Sequence, residues 1–425
     1  MNEDGRKHGR AMTAPELRID GACLLRRLDR LAQIGAIEGG GCCRLALTDE
    51  DKAGRDLVVS WMRELGLHVI VDGIGNVLGL RAGREPLPPV MTGSHVDTVR
   101  TGGRYDGNLG VLAGLEVVAT LDAAGISTRR PLVVALFTNE EGARFAPDML
   151  GSLVYAGGLS VAEGLAAVAI DGKVLGDELQ RIGYAGAAPL PAYRPHAYVE
   201  LHIEQGPVLE AEHYRIGAVT GVQGISWTEL RITGQSNHAG TTPMSMRRDA
   251  AYVAARITTF VRDLTAELGH GQVGTVGKFD LTPDLINVVA ASVEMTVDLR
   301  NTDEALLEEA ERRLAAFIDD ASTAEGVTVE ARRIARFEPV DFDDRVVSLV
   351  EKTALDHGLA TKRMPSGAGH DAQMLARVCP TGMVFVPSVN GLSHNPAEHT
   401  DAADIEAGTN VLLQVMLALT DEDFS

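Results

Sequence analysis

Pro131-Leu-Val-Val-Ala-Leu-Phe137 runs directly into Thr138-Asn-Glu-Glu-Gly142. An unbroken apolar run closed by polar, turn-forming residues is the pattern of a strand buried on both faces, as in parallel sheets. Such sheets hold their ligands just past the carboxyl ends of the strands, which is where Glu140 and Glu141 fall. Two other stretches have the same form. Pro89 to Thr92 leads into Gly93-Ser-His95, and Ala197-Tyr-Val-Glu-Leu-His202 ends on a second histidine. Helical spacing appears between and around them, at Leu17–Ile34, Leu109–Leu121, Asp344–His357 and Asp401–Leu419. A further helix is expected over Asp49–Leu65, with Thr48 as its N-cap and Gly66 at its end. Strands are expected at His68–Val71 and Asn76–Leu80. Strands alternating with helices predict an α/β fold with a mainly parallel sheet.

The pattern changes between residues 213 and 332. Strand-like segments at Ile225–Thr233, Gly274–Phe279, Val288–Arg300 and Val327–Ala331 enclose helices over Arg248–Leu268 and from Thr302 onward. Strand–helix–strand–strand–helix–strand is the ferredoxin-like order. The chain is therefore expected to divide into a larger parallel-sheet domain over 15–213, an inserted ferredoxin-like α+β domain over 214–332, and the rest of the larger domain over 333–425. Residues 1–14 are charged and aperiodic and are expected to form a mobile arm.

Composition narrows the function. The chain has 425 residues, 45% of them hydrophobic, and a net charge of −20. It can bury large cores, and its acidic surface opposes a phosphate backbone, so no nucleic-acid partner is expected. No run approaches 18 uncharged apolar residues and the N-terminus lacks the apolar core of a secretory signal, so no membrane partner is expected. Cys23, Cys42, Cys43 and Cys379 form no CxxC spacing, which fits free buried thiols in a reducing cytoplasm. No GxGxxG or GKS/GKT sequence follows a strand, which sets aside a nucleotide-binding protein.

Imidazoles and carboxylates at strand ends suit Zn, Mn, Co or Ni, and the absence of nearby cysteine argues against a closed structural zinc site. Two ions about 3.5–4 Å apart need a bridging carboxylate. Asp106, in Tyr105-Asp-Gly-Asn108, is the candidate bridge. His95 with a further histidine would serve one ion and Glu141 the other. Asp97 is placed to orient the His95 imidazole as an acceptor behind it. Taken singly, each is also an ordinary structural residue: a hydrogen-bonded His, a solvated Glu-Glu turn, an Asp-Gly turn.

Read together, Gly93-Ser-His-Val-Asp-Thr98, Tyr105-Asp-Gly-Asn108, Glu140-Glu-Gly-Ala-Arg-Phe145, His202-Ile-Glu-Gln-Gly206, His238-Ala-Gly-Thr-Thr-Pro-Met244, Ser366-Gly-Ala-Gly-His-Asp371 and Ser393-His-Asn-Pro396 resemble the metal-dependent aminoacylase and exopeptidase superfamily. Within it they look most like the hydantoinase/carbamoylase branch of N-carbamoyl-L-amino-acid hydrolases, β-ureidopropionases and allantoate amidohydrolases. The resemblance implies a pair of divalent ions held by His95, Asp106, Glu141, His202 and His394, with Asp106 bridging. It implies Glu140 as the general base that takes a proton from the attacking water and passes it to the leaving nitrogen. The expected activity is removal of the N-carbamoyl group of an amino acid, giving amino acid, carbon dioxide and ammonia. Allantoate amidohydrolase is the nearest alternative within the branch, and a dipeptidase or aminoacylase the next.

For the substrate, the inserted domain offers His238, Asn287 and Arg300. A guanidinium grips a carboxylate through two parallel hydrogen bonds, which lysine cannot copy. Arg300 could instead pair with Asp298 or Asp303, and His370-Asp371 could simply cap the following helix. By the resemblance, the positions of His238, Asn287 and Arg300 bind the substrate carboxylate and carbamoyl oxygen. The same resemblance implies a homodimer in which the histidine is supplied by the partner subunit. Gln205 and the Gly367-Ala-Gly369 loop with His370 are further candidates, because backbone N–H groups in a loop without side-chain bulk can approach an anion.

Overall fold

The structure, a computed structural model, describes residues 17–423. The expected N-terminal arm lies outside them. The described residues form two units. The first runs to Thr220 and resumes at Phe342; the second is Gly221–Asp341. These limits differ from the expected 214–332. Strand β6 (Ile216–Val222) pairs with a strand of the large sheet, and the strand that begins at Thr328 continues to Phe337.

In chain order the first unit contains α1 (Gly21–Ala32), α2 (Asp49–Glu64), β1 (His68–Val71), β2 (Val77–Arg81), β3 (Val90–His95), α3 (Asn108–Ala123), β4 (Leu132–Phe137), α4 (Leu150–Tyr155), α5 (Val161–Leu165), α6 (Leu175–Ile182), β5 (Ala197–Ile203), α7 (Val208–Ala211) and β6. The second contributes β7 (Gly224–Thr233), α8 (Ala250–Leu268), β8 (Val273–Thr282), β9 (Ser292–Asn301), α9 (Glu304–Glu325), β10 (Thr328–Phe337) and the short β11 (Val340–Asp341). The first unit then adds α10 (Asp344–Asp356), β12 (Thr361–Ser366), α11 (Asp371–Leu375), β13 (Thr381–Val386) and α12 (Ala402–Asp421).

The large sheet of the first unit has the order β1-β2-β4-β3-β5-β13-β6, with β12 on β6. Its four central strands, β4, β3, β5 and β13, are parallel, and antiparallel strands flank them. Every residue of β3, β4, β5 and β13 is buried. Each fully buried Leu or Phe there contributes roughly 1.5–3 kcal/mol of transfer free energy. The register places His95 beside Phe137 and His202 beside Phe385, so both histidines share one edge of the sheet with the chain leaving β4 toward Glu140. Helix α2 starts as its cap predicts, with the Thr48 hydroxyl accepting from the Asp51 N–H.

The C-terminal helix falls where the sequence places it, at Ala402–Asp421 against the expected 401–419. α12 is 20 residues long with mean hydropathy 1.2, apolar enough by length and composition to cross a membrane. It packs instead against α3, β5 and β13, and 61% of that stretch is buried. Its apolar character is that of a core helix in contact with a sheet. The four cysteines are free, but only Cys42 is buried and the other three are half-buried.

The second unit has the strand order β10-β7-β9-β8, antiparallel throughout. With the βαββαβ succession this is the ferredoxin-like arrangement. Leu230, Ile232, Val293 and Met295 of the sheet pack with Val253, Ile257, Leu307 and Leu314 of the two helices in one core.

Candidate metal centre

Three chain segments converge at the carboxyl edge of the central strands. His95 ends β3, His202 lies near the end of β5, and Asp106 sits in the turn before α3. Ligand atoms of His95, Asp106 and His202 all lie within 4.8 Å of one another, as do those of Asp106, Glu141 and His394. Asp106 belongs to both groups. Its Oδ1 is 3.2 Å from His202 Nε2 and 3.7 Å from His95 Nε2. Its Oδ2 is 3.4 Å from His394 Nε2, which is 3.2 Å from Glu141 Oε2. Glu140 is beside them, with Oε2 3.3 Å from His95 Nε2.

Local backbone geometry makes this convergence possible. Gly107 has φ +65°, and a Cβ there would fall 2.4 Å from the His95 ring. Only glycine lets the turn carrying Asp106 close over that imidazole. Asn139, Gln205 and His394 are non-glycine residues with positive φ, of 57°, 57° and 52°. Such conformations persist where surrounding structure holds them, and they cluster at functional sites. The Asn139 turn is held by its own side chain, which bonds the N–H and the carbonyl of Phe145.

The donor set fits a divalent cation. His95 Nδ1 is 2.9 Å from the Asp97 carbonyl, and His202 Nδ1 is 2.9 Å from the Ile203 carbonyl. Each Nδ1 then carries the proton it donates, and each Nε2 faces carboxylate oxygens, where a cation or, at His202, a second proton shared with Asp106 can sit. Burial opposes ionisation of Asp106, but hydrogen bonds from His202 and His394 hold it well below the usual carboxylate range. Burial lowers the pKa of His202, yet Asp106 outweighs it and raises it to about 9. Asp106 and Glu141 raise His394 to about 11. His95 is pushed down to about 4, chiefly by burial. Glu140 is held well above the carboxylate range by burial and then by the charges of Asp371 and Glu141.

Asp97 departs from its expected position. The atom behind the His95 imidazole is the Asp97 backbone carbonyl, not the carboxylate. The carboxylate instead accepts from the backbone N–H groups of Glu140 and Glu141, each at 3.3 Å. It therefore fixes the turn that carries both glutamates. Gln205 donates to Asp106 Oδ2 at 2.9 Å. His370 is 1% exposed, lies edge-on to His202 with ring centroids 4.5 Å apart, and has Nε2 2.8 Å from Ser366 Oγ. It starts α11 without a side-chain capping bond. In the loop before it, the Ala368 N–H is already taken by Ser366 Oγ at 3.1 Å, while Gly369 packs toward Met149.

The residues of the second unit are of another kind. His238 and Asn287 are exposed, on two loops joined by a His238–Val288 bridge and an Ala239 N–H to Asn287 carbonyl bond of 2.9 Å. Arg300, near the end of β9, is half-buried and pairs with Asp298 through Nη2 at 2.9 Å, as one of the two sequence readings allowed.

Two buried acids escaped assignment from the sequence. Glu200 on β5 accepts from Ser94, Tyr198 and the Ala372 N–H beneath His202. Glu398 accepts from the backbone N–H groups of Tyr105 and Asp106. Burial, then the Asp106 charge, pushes Glu398 up to about 7. The period-two placement of Glu200 and His202 along one strand face was the signal for the first. For the second, the polar segment Ser393-His-Asn-Pro-Ala-Glu398 marked the residue but not its role.

A parallel-sheet unit with this donor cluster, joined to a ferredoxin-like unit, defines the class of two-unit hydrolases with a metal-ligand cluster at the strand ends. The chain belongs to Peptidase family M20/M25/M40, whose profile matches residues 91–418. It is 43% identical over 409 residues to an N-carbamoyl-L-amino-acid amidohydrolase of Rhizobium meliloti, covering 96% of this chain and 98% of that protein. It is 39% identical to an N-carbamoyl-L-amino acid amidohydrolase of Geobacillus stearothermophilus, covering 94% and 99%. Among solved structures, a hydantoinase/carbamoylase family amidase from Burkholderia multivorans superposes with TM-score 0.93 at 47% identity, covering 96% of this chain and 99% of that one.

Proposed function

We propose that the protein hydrolyses the N-carbamoyl group of an N-carbamoyl-L-amino acid, at a site holding two divalent ions. The carrying observation is the Asp106 carboxylate, which turns one oxygen to the His95–His202 group and the other to the His394–Glu141 group. His95 and His202 would hold ions through Nε2, with His394, Glu141 and the bridging Asp106 completing the set. Zn, Mn, Co and Ni all suit these donors. When bound, such ions polarise the carbamoyl carbonyl and make water a stronger acid.

Glu140 takes the proton of the attacking water at a carboxylate oxygen. It then delivers that proton to the nitrogen that leaves as the amino acid. The carbamate left behind breaks down to carbon dioxide and ammonia. The Asp97 carboxylate keeps Glu140 and Glu141 in place through their backbone N–H groups. Arg300 would exchange Asp298 for the substrate carboxylate, and His238 and Asn287 would hold the carbamoyl oxygen. Full-length similarity to the amidohydrolases named above supports this substrate class.

The same reading takes the protein to be a homodimer in which His238 serves the partner subunit's site. In support, the edge strand β8 leaves Val273, Phe279 and Leu281 exposed, an apolar edge of the kind that pairs with another chain. The test is ammonia release from a panel of N-carbamoyl-L- and D-amino acids, β-ureidopropionate and allantoate, with Zn, Mn, Co or Ni added to metal-free protein. Fastest turnover is expected for N-carbamoyl-L-amino acids. Preferential turnover of allantoate would move the chain to the alternative activity, and no ammonia from any of them would overturn the proposal.

A further inference from the structure

Asp106 must present its two oxygens in two directions, and a short carboxylate on a tight turn has no intrinsic reason to do so. Its surroundings supply one. Glu398 is 4% exposed, and its Oε1 accepts from the N–H groups of Tyr105 and Asp106 at 3.0 and 3.2 Å. Its Oε2 is 3.1 Å from the Ser393 hydroxyl, which lies 3.2 Å from Asp106 Oδ2. Gln205 Nε2 reaches both Asp106 Oδ2 and Ser393 Oγ, at 2.9 and 3.2 Å. A closed circuit thus runs from Glu398 to the Asp106 backbone, and back through Ser393 to the Asp106 side chain. Space for it is reserved at Gly103, where a Cβ would fall 2.0 Å from the Glu398 carboxyl carbon.

We infer that Glu398 is a positioning residue for the bridging carboxylate, acting through the Asp106 backbone and Ser393 to aim Asp106 Oδ2 at the His394–Glu141 group. Glu398 reaches neither group itself. It ties the loop that supplies His394 to the turn that supplies Asp106, so the two ligands of that group move together. The inference rests on the dimetal reading and assigns a residue that reading does not use. Residues behind the ligands of a metal commonly tune affinity by 10–100-fold when removed.

Equilibrium dialysis of metal-free protein against Zn2+, without substrate, tests this through its two stepwise dissociation constants. Glu398→Ala is expected to weaken one of the two steps by about 10–100-fold and leave the other near wild type. Gly103→Ala, which changes no polar group, is expected to do the same by displacing the Glu398 carboxyl. Glu398→Gln keeps an oxygen for both backbone N–H groups and gives Ser393 a donor, so it should stay within about threefold of wild type. Wild-type constants for both Glu398→Ala and Gly103→Ala would overturn the inference alone. Glu398→Gln as weak as Glu398→Ala would overturn the hydrogen-bonded clamp in favour of simple charge. A wild-type protein that takes up no metal would overturn the dimetal reading, and this inference with it.

Discussion

His95 and His202 are buried, and their Nδ1 protons are committed to backbone carbonyls, whereas His238 and Asn287 stand exposed on loops. The first pair is fixed by a sheet whose central strands have no solvent-facing residue. The second pair sits on two loops joined by backbone bonds, with His238 Nδ1 accepting from the Gly240 N–H, and Arg300 of the same unit pairs with Asp298. The first unit carries a preformed cluster of potential metal ligands. On the reading proposed above, the second carries the substrate-binding groups. Chemistry that must not drift would then be built on buried strand ends, and recognition of a variable substrate left to groups that can change partner.

The largest effect should come from the preformed cluster. Glu140→Gln is expected to keep full metal content and lose about 10^2–10^4-fold in kcat, the scale of general acid–base catalysis. Steady-state kinetics beside metal analysis checks this, and near-normal turnover would remove Glu140 from proton transfer. Arg300→Lys should act on the substrate-binding groups. It should raise KM for a carboxylate substrate by about 10–100-fold with metal content unchanged, because lysine cannot form the paired hydrogen bonds. An unchanged KM would leave Arg300 as a partner of Asp298 only.

Metal removal should separate the two units. Hydrogen exchange is expected to quicken around 93–108, 138–142 and 393–398 on stripping, and to stay unchanged around 238–247 and 283–291. Equal change in both sets would erase the contrast. The smallest effect concerns pH. In metal-free protein the folded-state pKa of His202 is raised to about 9 from 6.5. The stability it contributes is therefore fully present below about 6.5 and lost as pH climbs through about 9. Thermal unfolding of metal-free protein should show a falling midpoint over that interval, absent in the metal-loaded protein, where the imidazole is held deprotonated. A flat profile in the metal-free state would contradict the protonated His202–Asp106 pair.

The contrast also explains what could be read from the sequence. Leu132–Phe137 announces itself because a strand covered on both faces is apolar throughout, and its polar terminus then marks the sheet edge. β13, Thr381–Val386, has the same buried character but passed unread, as did β12 and β6. β6 is interrupted by Gly217 and Gly221, and β12 carries Lys362, Arg363 and Pro365. The position of Asp97 two residues from His95 was legible, but not that its carbonyl faces the imidazole while its carboxylate turns to Glu140 and Glu141. Glu398 stands at the end of the polar segment Ser393-His-Asn-Pro-Ala-Glu398, but its role is not legible there, for a deeper reason. Its burial depends on Gly103 and on backbone donors far away in the chain, and no local period records such a contact.

The central claim is that Asp106 and its neighbours hold two ions that the reaction needs. The direct measurement is stepwise return of metal to stripped protein, with ammonia release from an N-carbamoyl-L-amino acid and bound metal followed together. Activity should be lost on stripping and should return to a plateau at two ions per chain. Stripped protein that still turns over at the full rate, or activity complete with a single ion bound, would contradict the account.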